Sequence, residues 1–374
     1  MQITGDLPDV DLHQVKSIFV KIFIFAFVIQ LVKMTIFLSD GEMWADQIRY
    51  FLSNNPAEFC FDQAYGHPGT TLVGMGSLFH LLFVLDFSTS LTLSVALLTA
   101  TLTAACAALC FLLQPRSLWW FTTGFILTLS RFYVTATPPT AVVMPFIVLL
   151  VLASFWLWEK NMFASRWQHF FWGIILGLSA ATRLDVSLLV GMPLSTLIFY
   201  RNGKRVIVPT LTGFVIAFFI ADPFLWFMPV QHVIDLLSKF TMHYSNYRTS
   251  VLIPLLDWVH GISLAVIAIA WFLVLYSRRR LNNIVPAQVL LVFLGVSLLA
   301  VSLLVSSKFQ AIRYLYPLII VWEVLLPLFA FQGCPRIYDQ ISFKSGSLDV
   351  KTARVLVGFI IPTQVIGFFF MFNW

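Results

Sequence analysis

The sequence predicts an all-α, polytopic membrane protein. Of its 374 residues, 59% are hydrophobic and only 11% are charged, a balance typical of membrane proteins rather than soluble ones. Long apolar segments recur from one end to the other, most of them able to cross about 30 Å of hydrocarbon as a helix. The net charge of +6 comes mostly from short loops, so it is a topology signal and gives no indication of a nucleic-acid partner.

Eleven segments are predicted to cross the membrane within a single membrane domain, residues 1–374. The first segment, 18–38, has no small-residue cleavage site at its end, so we expect it to remain as an anchor. The other ten are 91–113, 118–132, 141–158, 170–182, 186–200, 206–221, 258–276, 284–305, 314–331 and 355–370.

Basic residues predict the side that each connection faces, because Lys and Arg are enriched in cytoplasmic loops. The connections expected in the cytoplasm contain Arg116, Lys160 with Arg166, Arg201 with Lys204 and Arg205, residues 278–280, and the loop 333–354. If the short apolar segment 70–85 crossed the membrane, most of these loops would be forced outside. We therefore predict that 70–85 is a re-entrant or interfacial helix, that the N-terminus is cytoplasmic, and that loops 39–90 and 222–257 are external.

The first external loop concentrates the acidic residues of a chain that has only 17 Asp and Glu. Ser39 followed by Glu42 forms a capping box, which predicts that a short helix begins here. Trp44 and Ile48 then recur at helical spacing, so we expect an amphipathic helix on the membrane surface. Asp40 would then lie at the boundary between water and lipid.

A pattern of single residues runs through this loop, with an Asp directly after the first span and a His-Pro element roughly thirty residues later. Its members are Asp40, Trp44, Ala45, Arg49, Tyr65, His67 and Pro68. The pattern resembles the first external loop of the GT-C glycosyltransferases, most closely the protein O-mannosyltransferase and aminoarabinose-transferase group. Two positions depart from it: Gly41 replaces the usual Glu, and Gly69 replaces a second Pro. The resemblance implies a GT-C-like bundle of about 11 transmembrane helices.

The resemblance also implies an inverting glycosyltransferase that uses a polyprenyl-phosphate-linked sugar on the non-cytoplasmic face. Such a transfer needs a base for the acceptor hydroxyl, cations for the departing phosphate and a groove for the lipid. Asp40 is the candidate base, with a helix cap beside Ser39 as its alternative role. Asp46 is a possible second acid, or else a structural partner of Arg49.

External arginines are the candidate ligands of the donor phosphate, because one guanidinium can bind two phosphate oxygens. They are Arg131, Arg183, Arg248 and Arg313, with Arg131 and Arg313 preferred. Arg183 precedes Asp185, so a local salt bridge is an equal alternative. Interfacial anchoring is a further alternative, since Arg and Tyr are both enriched at membrane surfaces. The sugar or acceptor pocket is assigned to Trp44, Tyr65, His67 and Tyr244.

The alternative function is a transporter or flippase for a lipid or small solute, in which Asp40, Lys33 and the arginines would line a route. Lys33 lies inside the first span, where we expect it to snorkel to the interface unless it faces the site. A structural subunit of a membrane assembly is a third possibility.

The expected partners are membrane lipid, a polyprenyl-phosphate sugar and an unidentified acceptor. No cofactor is assigned, although the acidic cluster has the oxygen ligands that a divalent metal would need, without a fixed ligand spacing. The expected location is a membrane, the cell membrane if the source is a prokaryote.

Overall fold

The computed structural model describes residues 12–37, 41–53, 70–115, 117–130, 132–159, 166–222, 224–227, 229–230, 232, 234, 287–306 and 315–333. Almost all of these residues are helical, and none of them forms a strand. The prediction of an all-α protein is confirmed to that extent.

The helices follow one another with short connections. Their bounds are α1 Leu12–Phe37, α2 Gly41–Leu52, α3 Thr70–Phe83, α4 Phe87–Leu113, α5 Trp119–Leu129, α6 Phe132–Thr135, α7 Pro138–Glu159, α8 Arg166–Thr182, α9 Leu184–Asn202, α10 Ile207–Ala221, α11 Phe224–Phe227, α12 Ala287–Ser306 and α13 Tyr316–Gly333. A 3-10 turn, Lys204–Val206, joins α9 to α10.

Five described helices are long and apolar enough to cross a membrane: α1, α4, α7, α9, and α10 with the turn before it. Shorter apolar stretches lie in α3, α5, α12 and α13. These helices support a membrane protein with several spans. The total of eleven spans and the GT-C arrangement remain predictions, and the predicted spans 258–276 and 355–370 lie outside the described residues.

Helix α7 forms the centre of the bundle. It packs against α4, α8, α9, α12 and α13, and 89% of its most apolar stretch is buried, against 22% for α1 and for α10. The two peripheral helices expose aliphatic side chains such as Val28 and Ile220. Exposed aliphatic surface on outer helices of this length suits contact with lipid.

Contacts between helix termini define two ends of the bundle. At the Arg183 end, Lys33 of α1 donates hydrogen bonds to the carbonyl groups of Thr128 and Ser130, where α5 ends. Arg183, between α8 and α9, donates to the hydroxyl of Thr140 at the start of α7. Because α9 runs away from Arg183, the turn Lys204–Val206 lies at the opposite end, called here the Arg205 end.

Helices α8 and α10 run parallel and pack very closely through glycine. A Cβ atom on Gly173 would collide with the carbonyl oxygen of Thr210, and one on Gly213 would collide with the carbonyl oxygen of Phe170. Gly173 and Gly177 have the spacing that brings membrane helices into backbone contact. This seam holds α10 on the bundle although its other face is exposed.

Helices α2 and α3 cover the Arg183 end. The predicted amphipathic pattern of α2 is confirmed, since Trp44 and Ile48 are both buried. The partner of this apolar face is protein rather than a membrane surface alone, because α2 packs on α3 and α4 and Ile48 lies against Gly76. Sequence periodicity identifies an apolar face but not what covers it.

Both ends of α3 contact residues at the Arg183 end. The hydroxyl of Thr182 donates to that of Thr71 at 3.2 Å, and the ring of His80 stacks on Phe87 with centroids 4.3 Å apart. A helix with both ends at one end of the bundle has the geometry expected of a re-entrant or interfacial segment. Its position relative to a membrane remains a prediction.

Candidate functional site

A groove of about 870 Å³ opens at the Arg183 end, between the last turns of α1 and the first turns of α4. Its lining is partly aliphatic and partly composed of hydroxyl and carboxylate groups: Leu31, Met34, Thr35, Ile36, Gly41, Glu42, Leu85, Ser88, Thr89, Thr92 and Leu93. Gly41, the residue that follows Asp40, belongs to this lining. A mixed lining of this kind suits a ligand that has both hydroxyl groups and an aliphatic part.

Asp86 caps the α4 N-terminus beside the groove. Its carboxylate accepts hydrogen bonds from the backbone N–H of Thr89 at 2.9 Å and from the Thr89 hydroxyl at 2.5 Å. These bonds, the side-chain one above all, hold the pKa of Asp86 below its usual range. The cap begins α4 at Phe87, earlier than the span predicted from residue 91, because the polar first turn is helical without being strongly apolar.

Asp46 is paired with Arg49 on the outer face of α2. The carboxylate and guanidinium are 3.1 Å apart, and their side chains are 46% and 63% exposed. The guanidinium of Arg49 also lies 5.4 Å from the centroid of the Phe87 ring. The ion pair with Arg49, one of the two roles predicted for Asp46, is therefore present in the structure. The role of Asp46 as a second acid stays a prediction.

Trp44 lies in a junction of α2, α3 and α4 that contains buried polar atoms without hydrogen-bond partners. These atoms, within the described part of the chain, are Trp44 Nε1, Ser77 Oγ and Ser90 Oγ. Buried polar groups nearly always have a partner, which can be water or a ligand. The junction is compatible with the pocket role predicted for Trp44.

Lys33 is turned into the bundle. Its ammonium donates to Thr128 O at 2.7 Å and to Ser130 O at 3.1 Å, and lies 5.8 Å from the Tyr133 ring centroid. Among the described residues no carboxylate lies within 4.0 Å of it. The ammonium is thus held by protein carbonyls at the end of α5 instead of snorkelling. Lys33 does not line the groove, so its place in the site stays a prediction.

Arg183 is 2% exposed and contacts Asp185 and Thr140 through its guanidinium. Its Nε and Nη2 atoms lie 3.0 and 3.2 Å from the two carboxylate oxygens of Asp185, and Nη1 donates to the hydroxyl of Thr140. The local salt bridge, one of the two predicted roles, is present. Phosphate binding by Arg183 stays a prediction, and a phosphate would have to share these hydrogen-bond donors.

Sequence reasoning missed a buried carboxylate–imidazole pair at the same end. His232 Nε2 lies 2.8 Å from Asp222 Oδ2, and both side chains are buried. Asp222 follows α10 directly, and a charged residue at the end of an apolar segment followed ten residues later by His is the only signal that could have suggested the pair. The sequence alone does not reveal that the chain folds back over this distance.

Most of the predicted site residues lie outside the described residues: Asp40, Tyr65, His67, Arg131, Tyr244, Arg248 and Arg313. Trp44, Asp46 and Arg183 are described, and all three lie at the Arg183 end. The described residues contain no group of three or more His, Cys, Asp or Glu side chains placed to hold a metal ion.

Comparison of the chain with protein-family models, curated proteins and solved structures gives no match.

Proposed function

We propose that this protein is an integral membrane glycosyltransferase that takes a sugar from a polyprenyl-phosphate donor at the Arg183 end of its bundle. The observation that carries the proposal is the groove between α1 and α4, which combines aliphatic side chains with hydroxyl groups where the chain enters the acidic loop. A sugar on a lipid carrier has the same two parts, a hydroxyl-rich head and an aliphatic tail.

The groove is accessible from the lipid-facing side of α1. Ile36 lines the groove and is 62% exposed, and Val32, one turn earlier, is 52% exposed. A polyprenyl chain could therefore stay in the membrane while the sugar occupies the part lined by Ser88 and Thr92. This arrangement avoids transferring a long apolar chain into water.

Positive charge for the departing phosphate is available at the same end. Lys33 is held by the carbonyl group of Ser130, and Arg131 is the next residue in the sequence. A fixed ammonium close to developing negative charge stabilises a leaving group without reorganisation during the reaction. Arg131 and Arg313 remain the preferred ligands for the other phosphate oxygens.

The reaction proceeds as a single displacement. Asp40 removes the proton from the acceptor hydroxyl while the acceptor oxygen attacks the anomeric carbon. The bond between that carbon and the phosphate oxygen breaks, and polyprenyl phosphate leaves with the electron pair. The anomeric centre is inverted, and Asp40 later releases its proton to water.

The test is transfer of radiolabelled sugar from a panel of polyprenyl-phosphate sugars to endogenous membrane acceptors. Native protein is compared with Asp40→Asn, and with Asp46→Asn as the test of the possible second acid, at matched amounts of folded protein. Asn retains the size and much of the capping ability of Asp but cannot act as the base. We expect Asp40→Asn to lose transfer by about 10²–10⁴-fold, and Asp46→Asn to retain most of it because Asp46 lies on the outer face.

Thr92→Trp tests the groove itself, since a bulky ring there would fill the space assigned to the donor. We expect an increase in the KM for the donor in a protein that remains folded. Full activity of Asp40→Asn would eliminate Asp40 as the base. Absence of transfer from every donor by the native protein would remove the glycosyltransferase proposal.

A transporter is the second candidate, and polar groups within the bundle favour it. Gln30 Oε1, Thr103 Oγ1 and Tyr133 Oη are buried and have no hydrogen-bond partner in the described part of the structure. Buried polar groups among membrane helices often mark a route for solute or protons. Substrate uptake into proteoliposomes without sugar transfer would favour this function.

A further inference from the structure

Four cationic side chains surround the turn between α9 and α10 at the Arg205 end. Arg201 lies in the last turn of α9, Lys204 and Arg205 belong to the 3-10 turn, and Arg166 begins α8. Arg166, Lys204 and Arg205 are exposed, and no described carboxylate lies within 4.0 Å of them. These three side chains, called here the basic cluster, therefore present positive charge that no described carboxylate offsets at close range.

The packing register brings these residues together. α8 and α9 are antiparallel, with the Trp172 Nε1–H donating to Ser195 Oγ at 3.0 Å. Six residues further along the same antiparallel register, Arg166 is level with Arg201. α8 and α10 are parallel, with Gly173 against Thr210, so the start of α8 is also level with the turn that contains Arg205.

Buried polar groups without partners lie beside this charge. Both ring nitrogens of His169, Asn202 Nδ2 and Thr210 Oγ1 have no hydrogen-bond partner within the described residues. His169 is 0% exposed, Asn202 is 8% exposed and Thr210 is 2% exposed. His169 is one turn before Gly173 on the side of α8 that faces α10, and Arg205 acts on its ring electrostatically. Hydrogen-bond donors that have no described partner and lie next to three exposed cations favour an anionic oxygen ligand.

The surrounding surface identifies the kind of molecule that would bring this oxygen. Trp167, Phe171, Val208 and Leu211 lie at the same end of α8 and α10, and each is more than half exposed. An exposed tryptophan beside aliphatic residues is typical of the boundary between lipid headgroups and hydrocarbon. A ligand here would have acyl chains on the apolar side and an anion on the polar side.

We propose that the Arg205 end contains a binding site for the phosphate of an anionic phospholipid, formed by the basic cluster and by His169, Asn202 and Thr210. Phosphate oxygens accept hydrogen bonds from the unsatisfied donors and pair with the cations, while the acyl chains lie along α8 and α10. This end is predicted to be cytoplasmic, where anionic lipids attract basic segments. The site is separate from the groove at the Arg183 end and does not depend on sugar transfer.

Basic residues on a cytoplasmic face also serve topology alone, so the experiment must separate a site from diffuse charge. The full-length protein is purified in a non-ionic detergent and titrated with phosphatidylglycerol, with phosphatidylcholine and with inorganic phosphate. Native mass spectrometry gives the apparent Kd of the first bound lipid, and the melting temperature gives its effect on stability. The test variant is Arg166→Gln/Arg205→Gln, and the matched control is Lys16→Gln/Lys21→Gln, which removes two exposed charges from α1.

We expect phosphatidylglycerol to bind the native protein and the α1 control equally, and to bind the test variant about tenfold more weakly or worse. Equal weakening in both variants would mean diffuse attraction and would overturn the proposal. Stabilisation of the native protein by inorganic phosphate as strongly as by phosphatidylglycerol, or equal affinity for phosphatidylcholine, would also overturn it.

His169→Leu provides a second test that does not depend on charge. Because His169 has no hydrogen-bond partner to lose among the described residues, we expect this variant to be as stable as the native protein without lipid. We also expect it to lose most of the rise in melting temperature on adding phosphatidylglycerol. A variant destabilised without lipid but still stabilised by phosphatidylglycerol to the native extent would show that His169 is structural only, which contradicts its place in the site.

Discussion

At the scale of single residues, Arg183 connects three helices through one side chain. Its guanidinium binds both carboxylate oxygens of Asp185 and the hydroxyl of Thr140, so the α8–α9 turn is fixed to the start of α7. A buried ion pair is costly to desolvate, and removal of one member leaves an uncompensated charge. Whether Arg183 serves folding or a bound phosphate can therefore be decided by replacing the members separately and together.

Asp185→Leu should destabilise the protein by about 3–5 kcal/mol, because it leaves the buried guanidinium without its carboxylate. The double variant Arg183→Leu/Asp185→Leu should recover most of that stability. Stability is measured by thermal or denaturant unfolding in detergent. Sugar transfer by the folded double variant then separates the two roles, since near-native transfer would exclude Arg183 from phosphate binding.

At the scale of secondary-structure elements, the α8–α10 seam depends on glycine. The two backbones are so close that Gly173 has no room for a Cβ atom beside Thr210. The hydrophobic effect does not drive helices together inside the lipid bilayer, because lipid tails are as apolar as the helix surfaces. Close backbone contact is therefore a main source of helix–helix association. The four-residue spacing of Gly173 and Gly177 is a property of the sequence. The helix that lies opposite these glycines is known only from the structure.

Gly173→Ala should destabilise the protein by about 1–3 kcal/mol, because the methyl group forces α8 and α10 apart. Gly74→Ala is the matched control, since a Cβ atom there would meet no atom of the described residues within 4 Å. That control should be neutral or slightly stabilising, because Ala is the better helix former. Equal effects of the two substitutions on the melting temperature would contradict the close seam.

At the scale of the whole molecule, the two ends of the bundle differ in chemistry. The Arg183 end holds Glu42, Asp46 and the groove, whereas the Arg205 end presents Arg166, Lys204 and Arg205. Cytoplasmic loops are rich in Lys and Arg. The structure and the charge pattern together predict that the Arg183 end faces outward.

Single cysteines at the two ends test this orientation. Cys60 and Cys334 are first replaced by Ser, while Cys106 and Cys110 are buried and can remain. A membrane-impermeant maleimide added to intact cells should label Asp46→Cys, and should label Lys204→Cys only after permeabilisation. Labelling of both from one side would contradict the opposite placement of the two ends.

Local patterns of residues were enough to predict several features. Runs of apolar residues predict α1, α4, α7, α9 and α10, since each helix satisfies its own backbone hydrogen bonds and needs only sufficient apolar length. The spacing of Trp44 and Ile48 predicts the amphipathic α2 in the same way.

Contacts between segments far apart in the chain were decided only by the tertiary structure. The Lys33 contact with Thr128, the α8–α10 seam and the pairing of His232 with Asp222 depend on which helix packs against which. The same holds for the groove, which is bounded by three separate helices. The amino-acid sequence alone determined that this is a helical membrane protein with an acidic first loop, because hydrophobicity and helical periodicity are local. The helix partners were decided by shape and by burial of polar groups, which arise only when distant segments meet.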